Sequence, residues 1–128
     1  MDQKSLDKLA TCDERLQRLF TEVSKTWEFT VIEGHRGKDA QEQAYATGHT
    51  KLHWPHGKHN AEPSLAVDVI PSPVDWKDTM KITYFAGYVM ATAEKLGINL
   101  RWGGDWRRQH DPLHNTFNDL VHFEVVSE

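Results

Sequence analysis

The sequence contains a single cysteine, Cys12, in 128 residues. An internal disulfide is therefore excluded, and so is any Cys-x-x-Cys redox or zinc motif. No apolar stretch approaches the ~20 residues of a membrane-spanning helix. The N-terminal Met1-Asp2-Gln3-Lys4 leads into an amphipathic segment and not into the apolar centre of a signal peptide. No block of lysine or arginine stands out, and the formal net charge is -4, so nothing favours a nucleic-acid partner. A Gly-x-Ser-x-Gly elbow and a phosphate-binding glycine loop are also missing. These absences argue against serine hydrolase, redox and nucleotide-dependent chemistry. They leave a soluble protein with no membrane anchor, made in a reducing compartment.

Histidine and tryptophan, by contrast, are plentiful, at eight and five residues. Most of the histidines crowd into residues 49–59 and 110–122, which is the first sign of a metal site. The remaining composition, 38% hydrophobic and 27% charged, is ordinary for a globular chain. The length fits one domain over residues 1–128.

Residues 3–25 carry an apolar stripe of helical period: Leu9, Cys12, Leu16, Leu19 and Val23, with Leu6 and Phe20 beside it. Cys12 lies on the stripe and reads as a packing residue. Phe29-Thr30-Val31-Ile32 is a short β-prone run ending in a turn at Glu33–Gly37. A helix is expected over 38–47, with Ala40, Ala44 and Tyr45 on one side and Gly48 ending it. A polar, His-rich loop fills 48–64. Leu65–Ile70 reads as a strand stopped by Pro71. A second long helix is expected over 79–96, capped by Gly97, then a strand over 98–102, a polar loop and a last strand over 120–126. This order points to an α+β fold: a small, mainly antiparallel sheet with helices on one face.

A hydrolytic zinc site needs three protein ligands, an open position for water, a neighbouring carboxylate to take a proton and a cation to steady the oxyanion. Asp68 is the best carboxylate ligand, because an aspartate inside the apolar run Leu65–Ile70 is costly unless paired or metal-bound. His59 lies nine residues upstream of it. His122 is a polar ring inside the β-prone run Asp119-Leu120-Val121-His122-Phe123-Glu124. Positions i and i+3 of a regular strand face opposite ways, so Asp119 and His122 can serve one centre only if a turn or bulge intervenes.

The segments Gly57-Lys58-His59…Ala66-Val67-Asp68 and Asp119-Leu120-Val121-His122 resemble the paired metal motifs of the D-alanyl-D-alanine carboxypeptidase and hedgehog-type zinc peptidase family. Gly34-His35-Arg36…Gln41…Tyr45…Gly48 is similar to its early Gly-x-Arg segment. Arg101-Trp102-Gly103-Gly104-Asp105-Trp106 resembles a stretch of its phage L-alanyl-D-glutamate endopeptidases. The likeness spans residues 28–125. It implies Zn2+ on His59, Asp68 and His122, with Asp119 as general base and Arg36 as the substrate- and oxyanion-binding cation. It further implies an endolysin acting on bacterial peptidoglycan, held in the host cytoplasm until a holin releases it. A monomer is expected. The chain departs from the family pattern in two ways: Gly57 replaces a serine, and eight residues separate His59 from Asp68 where many relatives have six, so the Glu62-Pro63 portion must bulge out.

Other roles compete for several of these residues. His53 and His56 share a loop with His59 and rival it. His110 and His114 have helical i, i+4 spacing, but Pro112 lies between them. Asp68 is alternatively a partner of Arg36, and Asp119 a turn cap. Glu124 shares a strand face with His122, as a support for it or as a solvated residue. Trp102 and Trp106 are candidates for the cleft wall or the core, and Arg101, Arg107 and Arg108 for attracting wall-peptide carboxylates or for plain solvation. The competing functions are a D-alanyl-D-alanine carboxypeptidase or dipeptidase with the same zinc site, and a non-catalytic, zinc-stabilised wall-binding domain.

Overall fold

A computed structural model describes residues 1–112, 115 and 117–127. The apolar stripe of the N-terminal segment forms two helices where one was expected: α1 (Gln3–Leu9) and α2 (Glu14–Val23). The break has a local cause. Asp13 caps α2 by accepting from the backbone N–H of Arg15, and Cys12 forms a bridge with Ser64. Leu9, Cys12, Leu16, Leu19, Phe20 and Val23 are all buried, whereas Leu6 is exposed.

Four strands follow: β1 (Phe29–Glu33), β2 (Ala66–Pro71), β3 (Leu100–Trp102) and β4 (His122–Val125). They form one sheet in the order β1-β2-β4-β3, with every neighbouring pair antiparallel. Pro71 extends β2 instead of stopping it, as its last residue opposite Phe29. The final strand is shorter than expected because residues 119–121 are taken up by a turn. Between β2 and β3 runs α4 (Thr79–Lys95), whose Ile82, Phe85, Ala86, Val89 and Ala93 are buried. At its end Gly97 takes a φ of 74°, a conformation that costs glycine little.

Strand alternation separates the two faces of the sheet. Val67, Val69, Phe123 and Val125 point into one core with α1, α2 and α4, where Phe20, Phe29, Phe85 and Phe123 meet edge-on or tilted. Trp102 belongs to this core, and its indole N–H donates to the Leu120 carbonyl. Asp68, His122 and Glu124 occupy the intervening positions and so face the other way. The fold is α+β, as the element order predicts.

Helix α3 (Lys38–Ala46) stands apart from that core. The expected apolar side, Ala40, Ala44 and Tyr45, is not buried. Its one buried residue is Gln41. The reason is polar. Gln41 Nε2 donates to the Leu52 carbonyl, while its Oε1 accepts from Arg36 Nη1 and Asn60 Nδ2. The amide is thus satisfied inside, where an unpaired one would be costly.

Candidate functional site

Three elements converge on one point. Asp68 sits in the middle of β2, His122 at the start of β4 and His59 in a short 3-10 turn, Lys58–Asn60. Asp68 Oδ1 lies 3.2 Å from His59 Nε2 and 3.2 Å from His122 Nδ1. All three residues are buried, and one ligand atom from each falls within 4.8 Å of the other two.

Each imidazole is oriented by its far nitrogen. His59 Nδ1 is 2.7 Å from the Gly34 carbonyl, which can only accept, so Nδ1 carries a proton there and Nε2 is the nitrogen turned toward Asp68. His122 Nε2 is 2.8 Å from Glu124 Oε1, which turns Nδ1 toward Asp68. Glu124 in turn accepts from Arg101 Nη2 at 2.7 Å. An oxygen acceptor behind each metal-ligating histidine is the usual support of a metal centre. The sequence left Glu124 open between two roles; the structure buries it at 4% exposure against His122.

The turn that the spacing of Asp119 and His122 demands is present. The His122 N–H bonds the Asp119 carbonyl at 3.1 Å, and Asp119 Oδ2 lies 3.9 Å from His122 Nδ1. Gly103 holds this turn from the side. Its carbonyl accepts from the Asp119 N–H at 2.9 Å, and its own N–H donates to the His122 carbonyl at 2.8 Å. A Cβ at Gly103 would stand 2.1 Å from the Asp119 carbonyl oxygen.

Burial opposes ionisation of Asp68, but the charge of His59 and the hydrogen bonds from both imidazoles outweigh it and hold the carboxyl well below the usual range. Burial, reinforced by the Asp68 charge, pushes the Asp119 carboxyl up to about 6. His122 is disfavoured as a cation by burial, yet its bonds to Asp68 and Glu124 raise it to about 10.

Arg36 uses Nε on Glu33 at 2.9 Å and Nη1 on Gln41 at 3.0 Å, and its Nη2 lies 3.6 Å from Asp68 Oδ2. Asp68 therefore faces Arg36 as well as the two imidazoles of the group that could hold a metal. A cavity of about 240 Å³ opens over the group, walled by Arg36, His56, Lys58, Arg101, Trp106 and Asp119 among others. Trp106 stands 5.3 Å from the His122 ring and donates its indole N–H to the Phe117 carbonyl.

The remaining histidines disperse. His53 stacks on Tyr45 and pairs with Glu42, outside the cavity walls. His56 lines the cavity. His110 borders a separate groove of about 800 Å³ beside α4, and His114 lies outside the described residues. Arg108 bonds Asn99. Glu62 and Pro63 are exposed, so the longer spacing between His59 and Asp68 does bulge outward.

Gly57, which replaces the serine, is not an empty position: a Cβ there would meet Asn60 Oδ1 at 2.9 Å and Gln41 Nε2 at 3.0 Å. Asn60 also donates to the Arg36 carbonyl at 2.8 Å and accepts from the Gly57 N–H. The sequence assigned no role to Gln41, Asn60 or Glu33. Only Gln41 carried a signal, as a polar residue of the early Gly-x-Arg segment.

Fold and site together define a small α+β protein with a buried His-Asp-His group at the floor of a cleft. The family model for phage L-alanyl-D-glutamate peptidase matches residues 1–126, and the chain belongs to that family. It is 27% identical over 132 aligned positions to the L-alanyl-D-glutamate peptidase of Escherichia phage T5, covering 97% of this chain and 96% of that one. The crystal structure of the Serratia marcescens L-Ala D-Glu endopeptidase ChiX has a similar fold, with a TM-score of 0.77 at 24% identity over 98% of this chain and 89% of the other. Among the described residues, no helix is long and apolar enough to cross a membrane.

Proposed function

We propose that this chain is a zinc-dependent endopeptidase that hydrolyses the L-alanyl-D-glutamate bond of peptidoglycan stem peptides, with residues 1–128 acting as one catalytic domain. The observation that carries the reading is the convergence of His59, Asp68 and His122, with both imidazoles held from behind by oxygen acceptors. Two imidazoles and one carboxylate suit zinc, and they form the three-ligand set of a catalytic centre and not the closed set of a structural one. When bound, the metal supplies Lewis acidity toward a carbonyl and lowers the pKa of a water.

The chain's own groups do the rest. Asp119 takes a proton from the attacking water at Oδ2 and returns it to the leaving amine; burial makes its carboxyl a more willing proton acceptor than a solvated aspartate. Arg36 has Nε and Nη1 held by Glu33 and Gln41 and Nη2 beside Asp68 at 3.6 Å; the second Nη2 hydrogen is the donor it offers to charge developing on the scissile carbonyl. Trp106 and Phe117 wall the cleft and limit water.

Host lysis follows from the same reading. The protein waits in the host cytoplasm as a monomer, and a holin opens its way to the wall. The test uses purified peptidoglycan digested by metal-loaded protein, followed by mass spectrometry. A new N-terminal glutamate, lost on chelation and restored by zinc, is expected. Release of free D-alanine would move the reading to a carboxypeptidase with the same site. Wall binding without any released peptide would leave a non-catalytic domain.

A further inference from the structure

The cleft reverses the charge balance of the chain. Acidic residues outnumber lysine and arginine by 19 to 15 overall, yet the cavity walls carry Arg36, Lys51, Lys58 and Arg101 against Asp119 and Glu124. Two of these cations are already engaged: Arg36 with Glu33 and Asp68, and Arg101 with Glu124. Lys51 and Lys58 have no ion pair among the described residues. The Lys51 ammonium stands 5.3 Å from the centre of the Phe117 ring, which also lines the cavity. Lys58 is half-buried and immediately precedes His59. A lysine at a cavity wall with no carboxylate partner among the described residues is set to bind an anion there.

The bond named in the proposed function supplies one. A glutamate acylated on its nitrogen keeps two carboxyl groups, and the peptide continues through only one. The other remains a free anion on the leaving side, a few bonds from the scissile nitrogen. Resting on that reading of the site, we propose that Lys58, assisted by Lys51, binds this free carboxylate. The enzyme therefore selects stem peptides whose glutamate is unmodified over those in which the carboxylate has become a carboxamide. Amidation keeps the shape of the group but removes its charge, so the discrimination is electrostatic. It appears in KM if the contact is made equally in the ground and transition states.

The experiment compares two synthetic peptides, identical except for a free carboxylate or a carboxamide on the glutamate, with zinc-loaded protein of measured metal content. Loss of a charge-assisted hydrogen bond is expected to cost the amide roughly tenfold or more in kcat/KM. That ratio should shrink as salt screens the contact. Lys58→Met should bring the ratio to within about twofold, and Lys58→Arg should restore it, since a cation at that position is what the contact requires. Circular dichroism and zinc content establish that the variants are folded and loaded. Equal cleavage of both peptides by the wild-type protein would overturn the proposal while leaving the proposed function standing. So would an acid preference that survives Lys58→Met and the Lys51→Met/Lys58→Met double variant. Failure to cut either peptide between alanine and glutamate would remove the proposed function, and this selectivity with it.

Discussion

Asp68 on β2 and His122 on β4 stand directly opposite each other in the sheet register. Antiparallel partners on one face have their Cβ atoms about 4.5–5.5 Å apart, which lets two short side chains reach a common centre without distortion. Glu33 on β1 pairs with Asp68 in the same row, and in the next row on this face Glu124 of β4 pairs with Arg101 of β3. Two successive same-face rows of the sheet thus hold two of the three candidate ligands, the carboxylate behind His122 and the guanidinium behind that carboxylate. His59, Arg36 and Asp119 reach the site from outside the strands. The rigid face opposite the core is therefore what fixes the group, in keeping with the need to hold such sites tightly.

Asp119 offers the sharpest test of the chemistry. Asp119→Asn preserves shape and backbone but cannot accept a proton at Oδ2. The variant should retain its zinc, measured by atomic absorption, and lose turnover by a factor on the order of 10²–10⁴. Lysis of outer-membrane-permeabilised cells at the wild-type rate would show that another group acts as base.

Glu124 should govern metal affinity more than chemistry. It accepts from both His122 Nε2 and Arg101 Nη2. A glutamine keeps only one acceptor oxygen for those two donors. Glu124→Gln should therefore weaken zinc binding by roughly 10–100-fold, read by competition with a coloured chelator, while activity at saturating zinc falls much less. Unchanged affinity would mean that His122 is oriented by packing against Trp106 alone.

With no metal bound, the bonds to Asp68 and Glu124 push His122 up to about 10 from an ordinary 6.5. The folded pKa is raised, so this group stabilises the stripped protein fully below pH 6.5, and the contribution fades as pH rises through 10. Zinc bound at Nδ1, as proposed, would have to displace that proton. Apparent zinc affinity should then increase about tenfold per pH unit below 10, with a proton released into buffer on binding. Calorimetry in two buffers of different ionisation enthalpy measures the release. A buffer-independent heat would show His122 to be neutral before the metal arrives.

Much of this site can be read from the chain alone, for identifiable reasons. Asp68 betrays itself as a carboxylate in an apolar strand, and the i, i+3 spacing of Asp119 and His122 requires the turn that is found. What the sequence could not supply is register. Glu124 has the same local pattern whether its strand face meets solvent or a second strand, and only the pairing of β4 with β3 brings Arg101 to it. The break between α1 and α2 was hidden because Cys12 keeps the helical period while leaving the helix. The buried side of α3 was missed because Gln41 is stabilised by Arg36, Asn60 and Leu52, partners distant or irregular in sequence that no apolar periodicity reports.

Cys12 is predicted to be chemically silent. It is 1% exposed, and burial raises its thiol to about 11. Thiolate is the reactive form, so native protein at pH 8 should not react with a disulfide dye until denaturant is added. Prompt labelling of the folded protein would place Cys12 at an accessible surface and contradict its part in the core.

Gly103 links fold stability to the position of Asp119. Its backbone makes two hydrogen bonds to the Asp119–His122 turn, and there is no room for a Cβ beside the Asp119 carbonyl. The contact is with backbone, so no side chain can swing aside to relieve it. Gly103→Ala must either push the turn outward or break those bonds, at a cost of about 1–3 kcal/mol. Because β4 begins at His122, the displacement should fall on Asp119 more than on His122. The variant should thus show a lowered melting temperature and a kcat reduced beyond what its folded fraction explains, with zinc content largely kept. Equal loss of zinc and activity would mean that the whole turn, His122 included, moves as one body. Wild-type stability together with wild-type kcat would mean that the close approach of Gly103 to Asp119 is not required at all.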